Sequence, residues 1–242
     1  LHGAAYSQGC GSLASVVFDR DFHFISASWG MGGSSGGKVP PWGKKEMGII
    51  ALVGSEDWGR GAAESTVKQF ARKVRIAECH VEQGIGHEFP SKLQPYHHHW
   101  LRVMDGWFEP GEVAFFDWRT DLDAAKEAMV SEKRGGLVYV YSKDDADSEL
   151  ARQVQNEVLF DPLVRHYGRQ SVAVKIDRGA RPDLCRDLGV TQTPAVLVLD
   201  ADGEPHAVLE GKKVKASALA KRLRKVATDK KPPKSPGVYL HP

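Results

Sequence analysis

The sequence predicts an α/β protein built as two units in tandem. Three observations carry this. First, six short apolar runs read as strands: residues 22–28, 47–53, 74–81, 136–141, 172–176 and 195–199. Most are continuous and rich in β-branched residues rather than alternating, the pattern of strands buried on both faces. Second, helical patterns lie between them, at about 10–17, 62–73, 96–108, 122–133, 148–158 and 216–226. Strand–helix alternation implies parallel sheets. Third, Glu109-Pro110-Gly111 breaks the chain after a long helix, which sets a domain boundary near Ala114. The units expected are 1–114 and 115–227, followed by a basic, proline-rich tail at 228–242 that is expected to be disordered or loosely docked.

A chain of 242 residues is long enough for one or two domains. The net charge of +2 is too small to argue for a nucleic-acid partner, and the basic residues are spread along the chain apart from the final run. No apolar run approaches the ~20 residues that a membrane helix needs. The chain opens on Leu1 rather than Met, so an upstream segment is expected to be missing, and any targeting signal with it. The compartment therefore stays open between secreted or periplasmic and cytoplasmic. Cys10, Cys79 and Cys185 are odd in number, far apart and never in a CxxC pair, so neither a disulfide framework nor a zinc site is expected. Each reads as a small buried apolar residue.

The first half carries a pattern with chemical meaning. Ala5-Tyr6-Ser7-Gln8-Gly9 reads as G-x-S-x-G with alanine at the first position. Small residues are needed there because the serine sits on a sharp strand-to-helix turn. The backbone N–H of Gln8, next after the serine, would form half of an oxyanion hole. Further on, the run 47–53 leads into Gly54-Ser55-Glu56-Asp57, an acid at a strand end. The run 74–81 leads into Gly84-Ile85-Gly86-His87-Glu88-Phe89-Pro90, a histidine in a glycine-flanked loop. The order Ser, Asp, His has gaps of fifty and thirty residues, room for the strand–helix units between them.

Over about 1–112 these motifs resemble the α/β-hydrolase superfamily, especially its esterase and peptidase-like members. The resemblance implies that Ser7 is the nucleophile, His87 the general base and Asp57 the residue that orients His87. Glu56, beside Asp57, is the alternative acid. The resemblance also implies a partial parallel sheet, since the early strands and the loop giving the second oxyanion N–H precede Leu1 in such folds.

Other features have ordinary readings. Ser7 can be a turn serine, His87 a loop histidine and Asp57 a helix cap. His97-His98-His99 point in different directions on a helix and cannot converge on one ion. They read as a partly buried face. Trp29, Trp42 and Trp58 flank loops expected to rim the site, where they can line a pocket or simply pack. Residues 32–38 nearly match a phosphate loop, but Val39 replaces the hydroxyl residue and Pro40-Pro41 prevent the following helix. No cofactor and no metal is expected.

The second half resembles the thioredoxin-like superfamily over about 115–227. The residues that carry this are Gly189-Val190-Thr191-Gln192-Thr193-Pro194, the strand after them, the Asp200-Ala201-Asp202-Gly203 turn and Gly211. The resemblance implies a cis peptide before Pro194. At the place of the family's redox motif stands Ser142-Lys143-Asp144-Asp145-Ala146-Asp147-Ser148, with no cysteine. Thiol–disulfide exchange needs a thiolate, so this unit is expected to be redox-inactive. Asp144, Asp145 and Asp147 read as a solvated, helix-capping loop, with a cation or basic partner as the alternative.

The expected function is a serine esterase-type hydrolase acting on a carboxylic ester, or alternatively an amide, of a small molecule or peptide. The thioredoxin-like unit would serve as a structural or docking module that can meet a protein partner. The competing expectation is a non-catalytic scaffold with two degenerate domains.

Overall fold

The computed structural model of the chain describes residues 1–18, 23–33, 38–113, 115–233 and 237–241. The chain divides into two compact units, Leu1–Trp107 with Ser235–Pro242, and Phe108–Lys234. The division lies between Trp107 and Phe108; Ala114, near which the sequence set it, lies outside the described residues.

The first unit runs β1 (His2–Tyr6), α1 (Gly9–Val17), β2 (Ser26–Gly30), α2 (Gly43–Glu46), β3 (Gly48–Gly54), α3 (Arg60–Phe70), β4 (Ile76–Glu82) and α4 (Gln94–Met104). Its five-stranded sheet is closed at the far edge by β9 (Val238–His241), from the end of the chain, in the order β1-β2-β3-β4-β9. Every pairing is parallel. β3 is buried at all seven positions. Its alternate residues Ile49, Ala51 and Val53 pack with Ala63, Val67 and Phe70 of α3 and with Cys10 and Val17 of α1. This is one dry face of the sheet.

The opposite face meets α4 and is more polar. A Cβ at Gly48 would stand 2.7 Å from the Trp100 ring, so only glycine lets α4 lie this close. Ser28 Oγ lies 2.8 Å from His97 Nε2, and Glu78 takes a hydrogen bond from the Tyr96 hydroxyl at 2.9 Å. Glu78 and His80 have no exposed surface, so their mutual contact at 3.1 Å helps offset the desolvation of both.

The tail expected at 228–242 is not loose throughout. Residues 238–241 pair with 79–82 of β4, and Tyr239 is buried. Val, Tyr and Leu suit a pleated, half-buried surface, and the outer edge of β4 offers backbone groups that need partners.

The second unit runs α5 (Leu122–Glu132), β5 (Gly136–Tyr141), α6 (Glu149–Gln153), α7 (Pro162–Gly168), β6 (Val172–Asp177), α8 (Pro182–Asp187), β7 (Ala195–Leu199), β8 (Pro205–Glu210) and α9 (Ala216–Val226). Its sheet has the order β6-β5-β7-β8 and is mixed: β5–β6 is parallel, while β5–β7 and β7–β8 are antiparallel. Asp121 starts α5 by accepting from Asp123 N at 2.9 Å and Ala124 N at 3.1 Å. The helical pattern at 148–158 changes at Val154–Val158 to a π turn. There the buried Gln155 accepts from Gly111 N and donates to Glu109 O and Glu112 O. The local irregularity swings one amide into three backbone partners.

Candidate active site

Three strand ends of the first unit converge. β1 ends at Tyr6 and α1 begins at Gly9, so Ser7 stands on a two-residue turn. Its φ of 51° is left-handed, a conformation that non-glycine residues adopt rarely and at a cost of about 1–3 kcal/mol. Ser7 N donates to Gly30 O at 2.9 Å, and Ser7 O accepts from Cys10 N at 3.1 Å. The backbone is thus held on both sides of the strained residue. A Cβ at Gly9 would sit 3.6 Å from Ala5 Cβ, an ordinary contact, so alanine fits the first elbow position.

The acid loop and the histidine loop are stitched together. Ser55 N donates to Glu82 O at 2.8 Å, Glu56 N to Ile85 O at 3.0 Å, and Gly84 N to Ser55 Oγ at 2.9 Å. A Cβ at Gly54 would lie 2.3 Å from Ile85 O, so this close approach requires glycine.

The three side chains meet. Ser7 Oγ lies 2.9 Å from His87 Nε2. His87 Nδ1 lies 3.1 Å from each carboxylate oxygen of Asp57. The Asp57 side chain is fully buried and its Oδ1 also accepts from Gly59 N at 2.6 Å. Glu56, the alternative acid, is exposed, and the carboxylate on the histidine belongs to Asp57. With Nδ1–H donated to Asp57, the Nε2 lone pair faces the serine hydroxyl, which is the arrangement that lets an imidazole remove its proton. Among the described residues, no backbone acceptor takes the Gln8 N–H.

The site also has an aromatic rim, in which Trp58 is among the three tryptophans read from the sequence as flanking these loops, while Tyr6 and Phe89 are not so read. Trp58 stacks on the His87 imidazole with ring centroids 4.8 Å apart. Tyr6 meets Phe89 edge-on at 5.5 Å. The other two flanking tryptophans do not share this place. Trp29 is fully buried in the core, and Trp42 packs against His23. A usable signal was adjacency: Trp58 directly follows the acid and Tyr6 directly precedes the serine. The Ser55 hydroxyl, which ties the two loops together, had no such signal.

The remaining sequence candidates fall elsewhere. His97 is buried, His98 exposed and His99 half-buried, so the run does not gather. Burial pushes the His97 pKa down to about 4, with His98 adding to the effect. Cys10, Cys79 and Cys185 are buried free thiols; burial raises all three, Cys79 to about 12. Residues 34–37 of the phosphate-loop-like segment lie outside the described residues.

In the second unit the peptide before Pro194 is cis, as the resemblance implied. The Asp200 carboxylate accepts from Asp202 N and Glu204 N, and Gly203 takes a φ of 80°, forming the expected turn between β7 and β8. The expected acidic caps at 144–147 prove to be serines. Ser142 accepts from Asp144 N, and Ser148 caps α6 through Ala151 N.

No family model matches the chain, and no curated protein does. Among solved structures, a thioredoxin from Thermus thermophilus is 20% identical over 48% of this chain and 91% of its own, with a TM-score of 0.39. A poplar thioredoxin h mutant is 18% identical, covering 50% and 89%, with a TM-score of 0.39. A mutant thioredoxin from Halobacterium salinarum is 17% identical, covering 47% and 92%, with a TM-score of 0.35. Among the described residues no helix is long and apolar enough to cross a membrane.

Proposed function

We propose that the first unit is a serine hydrolase of carboxylic esters, with Ser7 as nucleophile, His87 as general base and Asp57 orienting His87. One observation carries the reading: the His87 ring is within hydrogen-bond reach of both the Ser7 hydroxyl and the Asp57 carboxylate. The left-handed Ser7 backbone supports it, because a strained nucleophile turn presents the hydroxyl and the following N–H to the same space. In the reaction Ser7 Oγ attacks the carbonyl carbon while Nε2 takes its proton. The Gln8 N–H receives the developing oxyanion, and the proton then passes to the departing alcohol. Water, activated by His87, releases the acid from Ser7.

The second unit, thioredoxin-like in its resemblance, is proposed as a structural or docking module. Its only cysteine, Cys185, is buried, and the segment after β5 supplies no thiolate.

The test is labelling with a fluorophosphonate probe, which phosphonylates activated serines, followed by peptide mapping. The modification is expected on Ser7 and is expected to disappear in His87→Ala. Labelling elsewhere, or none, contradicts the reading.

A further inference from the structure

Trp58 is the most exposed of the large apolar side chains described, at 75%. One face of its indole is covered by the His87 ring, at 4.8 Å and 29° between planes. The rest stands in solvent beside the residue that must handle the leaving group's proton. Tryptophan is among the residue types most enriched where binding energy concentrates. Tyr6, 46% exposed, adds a second aromatic surface directly before Ser7.

We infer that the ester cleaved here carries a flat, uncharged aromatic ring on its alcohol side, bound against Trp58; this rests on the serine-hydrolase reading above. Which side of the ester meets the indole follows from the chemistry. The acyl carbon bonds to Ser7 Oγ and its oxygen turns toward the Gln8 N–H. The alcohol oxygen must come within about 3 Å of His87 Nε2 to receive the proton. A ring one or two bonds beyond that oxygen then lies beside the imidazole, where the indole already is. Aromatic pairs favour centroid separations of about 4.5–7 Å, the separation a ring bound against the indole would take. Glu56 and Glu88, both exposed and each next in sequence to a triad residue, disfavour an anionic ring. The bonds balance without a cofactor. The ester C–O bond breaks as the Ser7–acyl bond forms, the alcohol leaves with the serine's proton, and water then regenerates Ser7.

The experiment compares kcat/KM for benzyl acetate and ethyl acetate by pH-stat titration, with the full chain and with Trp58→Ala, Trp58→Phe and Ser7→Ala. The two alcohols are similarly basic, so the ratio reads recognition rather than leaving-group chemistry. A stacking contact worth about 1.4 kcal/mol gives a benzyl-to-ethyl ratio of about tenfold. The ratio is expected to fall toward one in Trp58→Ala and to be largely restored in Trp58→Phe. A ratio near one in the unaltered protein overturns the inference while leaving the hydrolase reading standing. So does a Trp58→Ala variant in which both esters slow equally, since Trp58 would then only position His87. No Ser7-dependent cleavage of either ester overturns the hydrolase reading and this inference together.

Discussion

His80 Nδ1 and His241 Nε2 lie 2.8 Å apart, joining two residues 161 positions apart in the chain. The contact crosses from β4 to β9, which adds a strand to the first unit's sheet. Cys79 N donates to Gly237 O at 2.7 Å, and Gln83 N to His241 O at 2.9 Å. Truncation before Gly237 is expected to expose these two amides to rapid hydrogen exchange while the β3 amides stay protected. Tyr239→Ala, which empties a buried aromatic site, is expected to cost about 3 kcal/mol in denaturant unfolding.

Asp57→Asn keeps the side-chain volume and can still accept from Gly59 N. It replaces the charge that stabilises an imidazolium and favours the wrong His87 tautomer. Ester turnover is expected to fall by about 10³–10⁴-fold with the melting temperature little changed. Steady-state kinetics beside a thermal melt checks this; a variant within tenfold of the parent contradicts the role given to Asp57.

His97 provides a pH test independent of catalysis. Its folded pKa is lowered to about 4 by burial, against about 6.5 in an unfolded chain. Between those values the unfolded state binds a proton that the folded state refuses. Stability is therefore lost as pH falls from about 6.5 toward 4. Ring titration by NMR is expected to show His97 uncharged through pH 6, and His97→Gln is expected to flatten the stability profile across that window.

Gln155 tests the second unit. Its amide serves Gly111 N, Glu109 O and Glu112 O from a buried position. Gln155→Ala strands the buried Gly111 N–H and takes the amide donor from Glu112 O, while Glu109 O keeps its bond from Glu112 N; the cost is expected to be about 2 kcal/mol, read as a lower denaturation midpoint for this unit.

What the sequence made legible was the interior of each sheet. The runs that became β3, β5, β6 and β7 are apolar and β-branched because helices cover both their faces. The order of Ser7, Asp57 and His87 was legible from their motifs, and in the structure each lies in the loop that follows a strand: Ser7 after β1, Asp57 after β3 and His87 after β4. The edges were harder to read. The run at 22–28 suggested a strand from Phe22, which lies outside the described residues, whereas β2 is Ser26–Gly30. Its small residues reflect packing that no local propensity encodes: a Cβ at Gly30 would strike the Tyr6 ring at 2.0 Å. β1, made of His, Gly, Ala and Tyr, has the same character. β9 escaped notice because a four-residue strand inside a proline-rich tail acquires meaning only from β4. The sequence set Trp58 with Trp29 and Trp42 beside loops expected to rim the site but left lining and packing undivided, since stacking on His87 is a relation across 29 residues.

Whether Ser7 is a nucleophile is read from hydrolysis of p-nitrophenyl acetate and butyrate by the full chain and its Ser7→Ala variant. Measurable turnover is expected in the parent, with its loss in Ser7→Ala and an unchanged circular dichroism spectrum. Turnover that is absent from the folded parent, or that survives in Ser7→Ala, would contradict a nucleophilic Ser7 and favour a non-catalytic two-unit binding protein.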